Sequence, residues 1–201
     1  IAAGLACLLL SSCMGMLARK HTYGGTGGAE LNGAQVGLQV KPEGAGAGSY
    51  VVSAMVVGGG VATLDGPFRW RVEATGKPGE HHWIALHRIR TRTAASGREE
   101  WYPVQHLGRR ADFRPVEGDP RQVRARYEIP GLLRVKPRED GELDVWVDLT
   151  VAAASGRERA VLHFHLDPAE KRQDEFIFLP AEIVENLGRE PADWDTPGWD
   201  R

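Results

Sequence analysis

The stretch Leu143-Asp144-Val145-Trp146-Val147-Asp148-Leu149-Thr150-Val151 alternates strictly between two classes of side chain. Every odd-numbered residue is a large aliphatic one, and the residues between them are Asp, Trp or Thr. Successive side chains of a β-strand point to opposite faces, so this period of two predicts a strand with one face in a hydrophobic core. A helix does not fit the pattern, because a helical face recurs every 3.6 residues.

The same alternation recurs on both sides of this stretch. Its apolar members are Phe68, Trp70 and Val72 in one segment and Val123, Ala125, Tyr127 and Ile129 in another. Further strand candidates are residues 36–40, 49–57, 82–93, 101–106, 159–166 and 175–179. Turn-forming residues such as Asp65-Gly66-Pro67 separate these segments, and short connections of this kind favour antiparallel pairing.

Helical signals are scarce, and only residues 180–187 are predicted to form a short helix. About eight or nine strands without crossover helices predict an all-β fold. We predict an antiparallel β-sandwich, immunoglobulin-like in broad architecture, with a closed β-barrel as the alternative.

Composition excludes some classes of partner. The chain has 201 residues, of which 42% are hydrophobic, so it can bury one sizeable core. Its 25 basic and 27 acidic side chains give a formal net charge of −2. Nucleic-acid binding normally requires a strongly basic surface, so we predict no nucleic-acid partner.

The first ten residues, Ile-Ala-Ala-Gly-Leu-Ala-Cys-Leu-Leu-Leu, carry no charge. A membrane-spanning helix needs about 20 apolar residues, whereas this length is typical of the apolar region of a secretory signal peptide. Neither Met nor a basic region precedes it, so we interpret the numbering as beginning inside the gene product. Leu10-Ser11-Ser12-Cys13 follows directly and resembles the lipobox of bacterial lipoproteins.

In lipoproteins the lipobox cysteine carries diacylglycerol and the residues before it are removed. The resemblance implies lipidation of Cys13, removal of residues 1–12 and attachment of the protein to a cell-envelope membrane. Met14 follows the cysteine, and a residue other than Asp there accompanies outer-membrane sorting in diderm bacteria, which implies the periplasmic face of that membrane. The alternatives are an ordinary secretory signal cut near Ser12 and a buried apolar strand or helix.

The remaining chain divides by composition. Residues 13–35 contain Gly24-Gly25-Thr26-Gly27-Gly28 and are interpreted as the lipidated cysteine and a Gly-rich linker, a coil that spans on the order of 25 Å. Residues 36–188 are predicted to form the β-sandwich domain. Residues 189–201 form an acidic tail rich in Trp and Pro, whose Trp194 and Trp199 we expect to fold back on the domain.

Arg88, Arg90 and Arg92 share one face of a predicted strand, and Trp146 points outward by parity. An exposed indole matches the apolar face of a sugar, and guanidinium groups pair with phosphate or carboxylate, so these residues are candidates for binding a glycan or another envelope polymer. The alternative, which we favour, pairs the arginines with acidic residues of neighbouring strands and covers the tryptophan.

His163 and His165 also face the same way on a strand. Together they could hold a transition metal if Asp167 or a histidine from a neighbouring strand came near. The apolar residues that alternate with them are predicted to face the core, which leaves both histidines on the side that faces water. The favoured alternative is therefore a pair of ordinary surface histidines. We therefore predict no cofactor.

Catalytic motifs such as Gly-x-Ser-x-Gly and His-Glu-x-x-His are absent from the sequence. The sequence thus predicts a lipid-anchored envelope module that is not an enzyme and that has a structural or interaction role toward an envelope protein or polymer. The alternative is a ligand-binding module for a glycan or a transition metal.

Overall fold

A computed structural model describes residues 13–24, 28–43, 59–64, 66–178 and 199, with side chains at 21–24, 28–43, 66–170 and 199. Several predictions lie outside the described residues. These are the signal segment 1–12, the strand at 49–57, the helix at 180–187 and the tail apart from Trp199.

The described chain is built almost entirely of strands. In chain order they are β1 (Cys13–Gly24), β2 (Ala29–Leu31), β3 (Ala34–Pro42), β4 (Gly59–Leu64), β5 (Phe68–Gly76), β6 (His81–Thr93), β7 (Glu99–Trp101), β8 (Arg110–Asp112), β9 (Arg114–Val116), β10 (Asp119–Glu128), β11 (Leu143–Ala153) and β12 (Gly156–Phe178). A 3-10 turn at Val104–His106 and a short helix, α1 (Pro137–Asp140), lie between them. Within the described ranges, no helix has the length and apolar character needed to cross a bilayer.

The strands form two open sheets. The seven-stranded sheet has the order β4-β1-β12-β11-β6-β7, with β8 also paired to β6, and the five-stranded sheet has the order β2-β3-β5-β10-β9. Neighbouring strands are antiparallel except β1 and β4, which are parallel. The predicted β-sandwich is confirmed, and the described strands do not close into one barrel.

The core lies between the two sheets and follows the predicted parity. Along β11 all five aliphatic side chains are fully buried. Phe68, Trp70 and Val72 of β5 and Ala125 and Tyr127 of β10 are buried in the same cluster. A large aliphatic or Phe side chain among them contributes about 1.5–3 kcal/mol by leaving water, so the alternation that identifies the strands also supplies the force that joins the sheets.

Two segments differ from the predictions. Residues 13–35, interpreted as a linker, contain β1 and β2, because β12 and β3 supply hydrogen-bonding partners that local composition does not reveal. The predicted strand 101–106 ends at Trp101 and continues as a 3-10 turn, because Pro103 fixes the backbone and has no N–H to donate. The candidates 159–166 and 175–179 fall largely within one long strand, β12.

Candidate functional site

The predicted ligand-binding residues share one surface of the seven-stranded sheet. We call it the outer face and define it by Arg88, Arg90, Arg92, Asp144, Trp146, His163 and His165. These side chains come from β6, β11 and β12, which are adjacent, and except at Arg88, which follows the half-buried His87, they alternate with side chains that are buried in the core or packed against it. Period-two parity therefore brings together residues that are up to 77 positions apart, as from Arg88 to His165.

A row of aromatic and cationic side chains crosses the outer face. His163, Trp146, Arg90 and Trp101 are cross-strand partners on β12, β11, β6 and β7. The Trp146 ring stacks on the His163 ring with centroids 4.8 Å apart. The Arg90 guanidinium carbon lies 3.9 Å from the Trp146 ring centroid.

This row covers both faces of the Trp146 indole. His163 and Arg90 come from the strands on either side of β11, so one packs on each face of the ring. A sugar that stacks on an indole requires one free face. The geometry therefore does not favour glycan stacking on Trp146, and Trp101, which is 57% exposed, is the open aromatic end of the row.

The three arginines have different surroundings. Arg90 lies 3.5 Å from Glu99, and Arg88 lies 5.7 Å from the Trp101 ring centroid. Among the described residues, neither Arg88 nor Arg92 forms an ion pair within 4.0 Å. Of these three arginines, Arg90 has a described carboxylate within 4.0 Å, and Arg88, which is opposite Asp148, helps to hold the pKa of that carboxyl below its ordinary value.

The arginines of β5 and β10 do not join this group, because those strands belong to the other sheet. Their acidic partners are also there. Arg71 lies 2.6 Å from Glu73, and Arg126 lies 3.0 Å from the same carboxylate. A continuous arginine surface across all the predicted strands is therefore not formed.

Asp144 connects the two histidines. Its Oδ1 atom lies 2.8 Å from His163 Nε2 and 3.0 Å from His165 Nδ1. Burial would raise the pKa of Asp144, but hydrogen bonds from His165 and His163 outweigh it and hold the pKa below the ordinary value. The hydrogen bond to Asp144 raises the pKa of His165.

This geometry changes which side chains could bind a metal ion together. Within the described part of the chain, the His, Asp and Glu ligand atoms that lie within 4.8 Å of one another belong to Glu142, His165 and Asp167. His163 is not a member of this set. Sequence reasoning included His165 and Asp167 but missed Glu142 and Asp144, although both share the even-numbered parity of Trp146 on the same strand segment.

Cys13 is the first residue of β1, where its backbone pairs with Phe178. It lies on a different part of the sheet from the outer face, because β1 pairs with the second half of β12 and β11 pairs with the first half. The predicted lipidation site, Cys13, and the predicted ligand-binding residues of the outer face therefore lie at separate places on the same sheet.

The comparisons with known proteins add no relative. No protein-family model matches the chain, and no curated protein or solved structure shows significant similarity to it.

Proposed function

We propose that this chain is a lipid-anchored β-sandwich module of the cell envelope, held at the periplasmic face of the outer membrane, with a structural or interaction role and no catalysis. The observation that carries the proposal is the position of Cys13. It follows the lipobox-like residues directly and begins the first strand of the seven-stranded sheet. Cleavage before Cys13 would therefore leave every described strand intact.

The geometry of β1 supports a particular arrangement of the anchor. A strand rises about 3.3 Å per residue, so the eleven steps from Cys13 to Gly24 span about 36 Å. β1 is hydrogen-bonded to β12 along this length. In the proposal the lipid is attached to the end of a paired strand, about 36 Å along that strand from Gly24.

The outer face supports an interaction role. Trp101 is mostly exposed beside two arginines, and exposed Val161 lies on β12 of the same sheet. Aromatic and arginine side chains are enriched in protein interfaces. A protein or polymer of the envelope is the proposed partner, whereas glycan stacking on Trp146 has less support because both faces of that indole are covered.

The anchor is tested by Cys13→Ser in the native cells. We expect the variant to move from the membrane pellet to the soluble fraction, because serine cannot form the thioether that holds the lipid. Fractionation with immunoblotting, together with mass spectrometry of the amino terminus, measures the outcome.

Cys7→Ser is the matched control, because Cys7 lies in the segment that is removed before the mature protein forms. We expect this variant to remain in the pellet. A Cys13→Ser protein that stays in the pellet, or an unmodified amino terminus on the wild-type protein, would contradict the anchor.

A further inference from the structure

We infer that Glu142, His165 and Asp167 form a binding site for a divalent transition metal such as Zn²⁺, with Asp144 as the residue that orients the histidine. The site goes beyond the proposed interaction role and does not depend on the lipid anchor. It differs from the sequence-based candidate in that Glu142, not His163, completes the ligand set.

Strand register places the four side chains. Leu143 of β11 is opposite Leu166 of β12, and both are buried. Asp144 is opposite His165, and the register carried one residue further sets Glu142 beside Asp167. Asp144, His165 and Asp167 lie in paired strands, which position ligands more precisely than loops do, and Glu142 directly precedes β11 with the same parity as Asp144.

The distances fit a metal ion. His165 Nε2 lies 3.4 Å from Asp167 Oδ1 and 3.8 Å from Glu142 Oε2. Two ligands at about 2.1 Å from a tetrahedral metal lie about 3.4 Å apart. The distance from His165 Nε2 to Asp167 already matches this value. The distance to Glu142 is a few tenths of an ångström longer, and all three ligand atoms lie within 4.8 Å of one another, so the exposed Glu142 side chain must move inward to complete the site.

The hydrogen bond from His165 to Asp144 directs the free nitrogen toward the two ligand carboxylates. When Nδ1–H donates to Asp144, Nε2 keeps its lone pair and faces Glu142 and Asp167. A carboxylate that receives the second ring N–H is the usual neighbour of a metal-bound histidine, because it fixes the tautomer and the ring orientation. Asp144 is mostly buried, with 19% of its side chain exposed, so this orientation is held by the sheet.

The charges favour a cation. Three carboxylates surround His165, and one of them, Asp144, also contacts His163. Arg92, which is opposite Asp144 on β6, forms no ion pair within the described residues. An imidazole with two carboxylates suits a first-row transition metal better than Ca²⁺ or Mg²⁺, which prefer oxygen ligands alone. The Nε2 lone pair would bind the metal directly, and water would fill the remaining coordination positions.

The test is isothermal titration of the purified full chain with Zn²⁺, in a Cys7→Ser, Cys13→Ser background that removes competing thiols. We expect one site that is lost or weakened at least about tenfold in His165→Ala and about 10- to 100-fold in Asp144→Asn. His163→Ala is the matched control, because it removes the other histidine on Asp144, and we expect its affinity to stay within about threefold of the parent.

Circular dichroism of each variant establishes that it is folded. If His165→Ala fails to fold, Asp167→Asn at an exposed position replaces it, with the same expected loss. The inference is overturned if the parent chain shows no Zn²⁺ site, if His163→Ala weakens binding as much as His165→Ala, or if Ca²⁺ binds as tightly as Zn²⁺. Because the measurement uses purified protein without a lipid, its failure would leave the membrane anchor untouched.

Discussion

Asp140 illustrates how one buried carboxylate connects two distant segments. Its Oδ1 atom accepts a hydrogen bond of 2.6 Å from Ser96 Oγ, and its Oδ2 atom accepts one of 2.7 Å from the Lys136 backbone N–H. Burial would raise the pKa of Asp140, but these hydrogen bonds and the nearby Arg98 lower it overall. The turn after β6 is thereby fixed to α1, just before β11 begins.

Asp140→Asn is expected to lower the free energy of unfolding by about 2 kcal/mol at neutral pH, because buried donors lose a charged acceptor. A carboxylate with a lowered folded-state pKa stabilises the protein above its unfolded pKa of about 3.9 and loses that contribution as the pH falls through the folded value. The difference between the two proteins should therefore be full at about pH 5 and above and shrink toward about pH 2. Urea denaturation across this range measures it.

Glu139→Gln provides the comparison, because Glu139 is exposed and its ion pair with Lys136 lies on the surface. We expect this substitution to change the free energy of unfolding by less than about 0.5 kcal/mol. A difference between wild type and Asp140→Asn that did not depend on pH would contradict the role given to the Asp140 charge.

The turn that joins β5 of the five-stranded sheet to β6 of the seven-stranded sheet depends on a close approach between Gly76 and His81. A Cβ atom at Gly76 would lie 2.6 Å from the Cγ and Nδ1 atoms of His81. The His81 ring is buried and cannot easily yield, because its Nδ1 atom accepts a hydrogen bond from the Lys77 backbone and its Nε2 atom lies 3.1 Å from the Asn32 carbonyl oxygen. Only glycine fits at the end of β5.

Gly76→Ala is therefore expected to lower the free energy of unfolding by about 1–3 kcal/mol, as overpacking of a filled site does. Gly37→Ala in β3 is the matched control, since a Cβ atom there has no neighbour within 4 Å. The control should leave stability unchanged or raise it by up to about 1 kcal/mol, because alanine reduces the entropy of the unfolded chain. Equal losses in the two variants, measured by denaturant unfolding, would contradict the steric argument.

Trp199 connects the end of the chain to the five-stranded sheet. Its carbonyl oxygen accepts a hydrogen bond of 2.6 Å from Arg71 Nη1, and the Arg71 guanidinium carbon lies 4.2 Å from its ring centroid. Arg71 lies on the side of β5 that faces away from the core, yet it is only 2% exposed. Burial lowers the pKa of Arg71, and the negative charges of Glu73 and Glu128 oppose that effect. The expectation that the tail folds back on the domain agrees with the position of Trp199, while Trp194 lies outside the described residues.

Trp199→Ala is expected to lower the free energy of unfolding by about 3 kcal/mol, because it removes a buried aromatic ring from above a buried cation. Trp101→Ala is the same substitution at an exposed position and should cost less than about 1 kcal/mol. Denaturant unfolding of both variants gives the comparison. Similar values for the two would show that the tail does not stabilise the sandwich.

Much of the fold could be predicted from local pattern. The parity of Leu143 to Val151 identified β11 and its buried face, because period-two burial is a property of one strand and needs no knowledge of its partner. The same reasoning placed Trp146, His163 and His165 on one outward surface. It did not find β1, because Met14 to Gly24 lack alternation and become a strand through pairing with β12.

The candidate metal site was only half predictable for the same reason. The spacing of His163 and His165 suggested a joint site, yet both bond to Asp144, and only His165 lies near Glu142 and Asp167. Contacts across strands depend on register, which is set where Leu143 and Leu166 meet in the core. No spacing along a single strand contains that information.

The amino-acid sequence by itself determined that the chain is all-β, which side of each alternating strand is buried, and the lipobox-like residues before Cys13. Only the tertiary structure decided which strands are neighbours, that both faces of Trp146 are covered, and which carboxylates surround His165. The physical reason is that alternation and composition act within a few residues, whereas sheet order and register are chosen by the packing of one shared core.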